Sequence, residues 1–215
     1  MIKTEAAKSV TIQVIDLSFY WWAGTYIPPW YKGKALPTTG APFSVMALPK
    51  APGFDASRFI YKWNINNSFL AGASGAGKNI YAYTPPFYTF SDRISVTLEN
   101  SSKTLSKEKT FVFRPSNPKI KFYALSRSFN ADTARAITAL ASDLSGPVSI
   151  LAEPFFYPLS SLGELIYSWN INGKNSQTTG DQKPSLLTVT PEAAAGTIIP
   201  EQSIRLEVYG SNKTL

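Results

Sequence analysis

At 215 residues, 44% of them apolar, the chain has material for one large packed domain or two of about 100 residues each. Only 16% of residues are charged and 16 are proline, a mixture that suits short strands joined by turns and works against long helices. Histidine and cysteine are both absent, which removes thiol nucleophiles, disulfides, the usual general base and the commonest metal ligands, while the net charge of +7 includes no run of four basic residues.

The N-terminus (MIKTEAAKSVTIQVI) lacks the apolar core of a signal peptide, and no stretch approaches the roughly 18 consecutive apolar residues of a membrane span. No direct membrane insertion by this segment is therefore expected, and any export signal or anchor is expected to lie outside it. Within residues 1–15, Val10, Ile12 and Val14 alternate with polar neighbours as in a strand. Next come seven aromatic residues in thirteen positions: Phe19, Tyr20, Trp21, Trp22, Tyr26, Trp30 and Tyr31. Tyr20, Trp22, Tyr26, Trp30 and Tyr31 are the candidate ligand or interface residues, because exposed aromatic faces stack on sugar rings or anchor protein partners. The competing reading sends Phe19 and Trp21 into the core and uses Tyr20 and Trp22 to cover a domain junction.

Three alternating blocks follow, each with a later copy. Residues 43–49 (FSVMALP) match 148–154 (VSILAEP) at a spacing of 105, and 60–66 (IYKWNIN) match 166–172 (IYSWNIN) at 106. Residues 94–105 (ISVTLENSSKTL) match 204–215 (IRLEVYGSNKTL) at 110. Three matches in one order make the chain a duplication of a unit of about 100 residues. The period of two predicts strands with one buried face, with Trp63 and Trp169 as the core tryptophans on equivalent middle strands.

Between the blocks, residues 72–79 (GASGAGKN) approach the phosphate-binding pattern G-x-x-x-x-G-K-[ST], but Asn79 stands where the hydroxyl residue belongs and a strand-like IYAY follows instead of a helix. A glycine-rich hairpin connection is the expected structure. Residues 130–142 (NADTARAITALAS) carry helix-forming alanines after an Asn-Ala-Asp-Thr start and predict a short helix in the second repeat. The sparse carboxylates form no calcium loop, and no strand interleaves basic and aromatic residues as nucleic-acid surfaces do, so no metal, no cofactor and no nucleic acid is expected.

The tyrosine-x-tryptophan pattern of 61–63 and 167–169 resembles the middle strand of immunoglobulin-like and PKD-type domains of bacterial surface proteins. More narrowly, residues 26–37 (YIPPWYKGKALP), followed by IYKWNIN and GAGKN, resemble uncharacterised exported proteins of small-genome, candidate-phylum bacteria. The resemblance implies paired immunoglobulin-like domains, an extracellular or cell-surface location, and no known activity. The disulfide cysteines of antibody-type domains are missing.

The expected architecture is all-β: two immunoglobulin-like β-sandwich domains in tandem, at 16–115 and 116–215. In the first repeat SSKTL is followed by a closing strand at 106–114, whereas the second repeat reaches position 215 at that point. Residues 1–15 read as the closing strand of a preceding unit, or as a donor strand that completes the second domain of another copy. Val10, Ile12 and Val14, with Ile204, Leu206 and Val208, are then the candidate strand-pairing edges. The expected function is a non-catalytic structural, adhesion or assembly module, not an enzyme. Its partners would be domains of the same array or surface assembly, with a glycan as a candidate ligand.

Overall fold

The computed structural model describes residues 16–50, 55–126, 131–133, 135–140, 146–176, 183–190 and 202–210. The chain is all-β. The first repeat contributes β1 (Asp16–Ala23), β2 (Phe43–Lys50), β3 (Ile60–Ile65), β4 (Ser68–Phe69), β5 (Gly75–Ala76), β6 (Ile80–Tyr83), β7 (Asp92–Glu99) and β8 (Ser106–Phe113). The second contributes β9 (Lys119–Leu125), β10 (Val148–Phe155), β11 (Leu165–Ile171), β12 (Lys174–Ser176), β13 (Leu186–Val189) and β14 (Ile204–Gly210).

Each of the six described strands of the second repeat has a counterpart in the first, which adds β5 and β8. The first repeat forms a sheet in the order β1-β2-β6 and another in the order β4-β3-β7-β8, with β5 added to β3. The second forms β9-β10-β13 and β12-β11-β14. In both, the first, second and later strands make one sheet and the tryptophan strand makes the other, a division consistent with a β-sandwich. Trp63 joins the sheets of the first repeat, its ring 6.5 Å from Phe19 of β1 and 5.9 Å from Tyr81 of β6. Trp169 does the same in the second, 5.8 Å from Phe122 of β9 and packed with Ala152 and Leu187.

Even individual hydrogen bonds recur. Trp63 Nε1 donates to the Lys78 carbonyl at 2.8 Å, and Trp169 Nε1 to the Pro184 carbonyl at 2.9 Å, a sequence offset of 15 both times. Such a partner lets a buried indole keep its polar edge satisfied. At the end of β3, Asn66 and Asn67 adopt positive φ of 48° and 68°, and at the end of β11 Asn172 and Gly173 adopt 51° and 82°. These pairs form two-residue hairpins of the kind whose twist matches the flanking strands, and Asn and Gly tolerate that backbone best. Asn66 accepts from the Arg93 N–H at 2.9 Å, and Asn172 from the Ser203 N–H at 2.8 Å.

Gly72 to Asn79 is not the expected hairpin but a connection between sheets, since β5 pairs with β3 and β6 lies in the sheet of β2. It runs through a three-residue 3₁₀ turn (Ala71–Ala73) and β5 into β6, and the Lys78 ammonium donates to the Gly72 carbonyl at 2.8 Å instead of facing an open anion cradle. The helix expected at 130–142 is corrected at its described residues: Ala131 bridges to Leu125 and Ile137 to Phe122, so this stretch extends β9 locally. The second repeat does hold one short helix, a 3₁₀ segment at Leu159–Glu164. Residues 130, 134 and 141–142 lie outside the described residues.

By compactness the chain divides into two units, one of Met1–Trp21, Ser44–Ala82 and Ser91–Phe113, the other of Trp22–Phe43, Tyr83–Phe90 and Arg114–Leu215.

Candidate functional site

The aromatic segment after β1 has a structural use within the second unit. Residues 24–26 run beside 156–159: Tyr26 N–H donates to the Tyr157 carbonyl at 2.8 Å, Phe156 N–H to the Tyr26 carbonyl at 2.7 Å, and Leu159 N–H to the Gly24 carbonyl at 3.1 Å. Tyr31 stacks edge-on against Phe155 at 5.3 Å and Phe156 at 6.1 Å, and Trp30 against Tyr123 at 6.0 Å. As a result β10 is covered on both faces. Ala152 belongs to the Trp169 cluster, whereas Phe155 joins Tyr123 and Phe156 in a second cluster, against which Ile27, Tyr31, Leu36 and Leu151 pack.

Glu153 shares that second face and is buried, with the Tyr26 hydroxyl donating to Oε1 at 2.6 Å. Burial pushes the Glu153 carboxyl above its ordinary range, against the opposing pull of the Tyr26 hydrogen bond and the charge of Lys183. Burial and the adjacent carboxylate likewise raise the Tyr26 phenol. Of the five aromatic candidates, Tyr26, Trp30 and Tyr31 are therefore engaged in packing. Tyr20 and Trp22 lie on the outward face of β1 and are exposed.

A different aromatic cluster is open to solvent. Phe87, Tyr88 and Phe90 are 59%, 89% and 88% exposed, three large rings within four residues. Large apolar side chains clustered in water are the informative exception to burial. The loop is braced. Gly40 N–H donates to the Pro85 carbonyl at 2.8 Å, and Thr89 N–H closes a turn on the Pro86 carbonyl at 3.0 Å. Gly40 has φ of +75°, a backbone that favours glycine, and the Phe87 ring lies against it, 2.6 Å from where a Cβ would stand. Thr38 Oγ1 donates to the Ser116 carbonyl at 2.9 Å, and Ser116 N–H to the Pro37 carbonyl at 2.7 Å. These bonds hold three segments of the second unit around a cavity of about 300 Å³, lined by Thr39, Phe87, Thr89, Phe90, Arg114 and Asn117. Arg114 is exposed and pairs with no carboxylate among the described residues.

Residues 85–91 (PPFYTFS) lack the period of a strand, so the sequence marks no strand face there. Three aromatic residues bounded by Pro85-Pro86 and Ser91, where no strand face exists to bury them, were the available signal.

The strand edges are the other candidate. Ile204, Leu206 and Val208 lie on β14, which pairs antiparallel with β11 from Leu165↔Gly210 to Ile171↔Ile204. Its counterpart β7 is paired on both sides, with β3 and with β8, the latter over all eight residues from Asp92↔Phe113 to Glu99↔Ser106. Among the described residues β14 has a neighbour on one side alone. Its apolar residues are also less covered: Ile94, Val96 and Leu98 are 0% exposed, whereas Ile204, Leu206 and Val208 are only partly buried. Val10, Ile12 and Val14 lie outside the described residues.

Among the described residues no three Asp or Glu side chains gather as a metal-binding group. No protein-family model matches the chain, and no curated protein is similar to it.

Proposed function

We propose that this chain is a non-catalytic structural module of a cell surface, built from duplicated sandwiches and assembled by adding a strand to β14. The observation that carries this reading is the contrast between β7, flanked on both sides, and β14, flanked on one among the described residues. An unpaired edge leaves backbone N–H and C=O groups in an arrangement that accepts another strand. The half-covered Ile204, Leu206 and Val208 add an apolar incentive to close it.

The occupant we assign is the 9–15 segment of a second copy. Residues 11–14 (TIQV) resemble 110–113 (TFVF) of β8, the strand that fills this place in the first repeat. Donation from copy to copy is head-to-tail and produces open chains of subunits. The surface location is supported by the resemblance of residues 26–37 and 60–66 to exported proteins. A carbohydrate-binding reading through residues 20–31 retains only Tyr20 and Trp22 as exposed rings.

Sedimentation equilibrium of the full chain and of a variant lacking residues 1–15 tests the assembly. The expected result is a mass that rises with concentration for the full chain and stays monomeric for the deletion. A full chain that remains monomeric, or association that survives the deletion unchanged, overturns it.

A further inference from the structure

We propose that the cavity framed by Phe87, Phe90 and Arg114 binds a carboxylated sugar unit of an anionic glycan. The cavity's volume, about 300 Å³, lies at the small end of ligand pockets, which suits one or two sugar rings better than an extended peptide. Its lining pairs two kinds of chemistry. The exposed rings of Phe87 and Phe90 offer faces on which the C–H side of a pyranose stacks, and stacking of this kind needs apolar surface kept in water until the ligand arrives. Around them stand the Thr39 and Thr89 hydroxyls and the Asn117 amide, which can donate to or accept from sugar hydroxyls, and the Arg114 guanidinium, which donates.

The charge selects the class of sugar. Arg114 has no carboxylate partner among the described residues, and a guanidinium meets a carboxylate through two parallel N–H···O bonds. The chain's net charge of +7 draws an anionic polymer toward it. Pre-organisation supports the same conclusion. Backbone hydrogen bonds at Gly40 and Ser116, with the Thr38 hydroxyl on the Ser116 carbonyl, hold the three lining segments, so little backbone ordering remains to oppose binding. A lipid surface would engage the exposed rings equally, but would have no use for a recessed pocket with an amide and hydroxyls on its wall. This inference does not depend on strand addition at β14.

The test is calorimetric titration of the full chain with oligosaccharides of galacturonate, glucuronate and N-acetylneuraminate, each beside its carboxyl-reduced form, and with anionic phospholipid vesicles. The expected result is saturable binding of at least one acidic oligosaccharide, weakened about tenfold or more by carboxyl reduction and by Arg114→Gln. Phe87→Ala with Phe90→Ala should abolish binding while the denaturation midpoint stays unchanged, since both rings are exposed. No binding by any acidic oligosaccharide, binding indifferent to Arg114 or to the carboxylate, or binding of vesicles alone would each overturn the proposal.

Discussion

Replacing Trp169 by alanine is expected to cost about 3–5 kcal/mol, enough to consume a large part of the stability of an ordinary domain. The side chain is 1% exposed and is the contact common to both sheets of the second repeat. Ala152 and Leu187 close on it from one sheet, Phe122 stacks on it at 5.8 Å, and Leu206 and Ile204 of β14 meet it from its own sheet. The loss also strands the Pro184 carbonyl, which the indole N–H reaches at 2.9 Å. Trp169→Phe separates the two effects, because it keeps most of the volume and removes the donor, for an expected cost of about 1–3 kcal/mol. Trp63→Ala is expected to match Trp169→Ala, since Trp63 is 0% exposed and donates to Lys78 in the same way. Urea denaturation followed by circular dichroism reads all three variants without relying on tryptophan emission. A Trp169→Ala loss below about 1 kcal/mol would mean the core lies elsewhere.

Tyr26→Phe is the second large effect, and it carries a pH signature. Glu153 is buried, and the Tyr26 hydroxyl is its hydrogen-bond donor at 2.6 Å. Removing that hydroxyl leaves a buried carboxylate without its donor, at an expected cost of about 1–3 kcal/mol near neutral pH. Because burial raises the Glu153 carboxyl above its unfolded value, the native state holds this proton more tightly than the unfolded chain. Its contribution to stability is thus greatest below the ordinary glutamate range near 4.5, and it is lost as pH climbs from there through the raised value. The hydrogen bond from Tyr26 counters the shift, so Tyr26→Phe should steepen this decline and Glu153→Gln should flatten it. Melting temperatures between pH 4 and 8 check the sign: a slope unaffected by Glu153→Gln would remove Glu153 as its source.

The parts of this architecture that were legible in the sequence are those set by short-range pattern. The alternation of 94–98 places Ile94, Val96 and Leu98 inside, and all three are wholly buried. The same holds for Phe43, Val45 and Ala47, and for the two tryptophans whose repeat motif marks the duplication. What escaped the sequence is decided at long range. Tyr26 finds Glu153 across 127 positions, so nothing near Tyr26 announces that its ring belongs against β10. The alanines of 130–142 favour a helix locally, yet Ile137 N–H donates to the Phe122 carbonyl at 2.8 Å. That backbone bond to β9 outweighs a propensity difference worth only tenths of a kcal/mol per residue. The cavity beside Phe87 is likewise assembled from segments near positions 40, 87 and 115, and nothing local to any one of them announces the others.

Amide hydrogen exchange along β14 is the most direct test of assembly through this edge. The N–H groups of Ile204–Gly210 that point away from β11 should exchange at loop-like rates in dilute solution and slow as concentration rises. The slowing should vanish when residues 1–15 are deleted, while the amides bonded to β11 stay protected throughout. Exchange that is the same at every concentration, in the full chain and in the deletion alike, would contradict assembly through this edge.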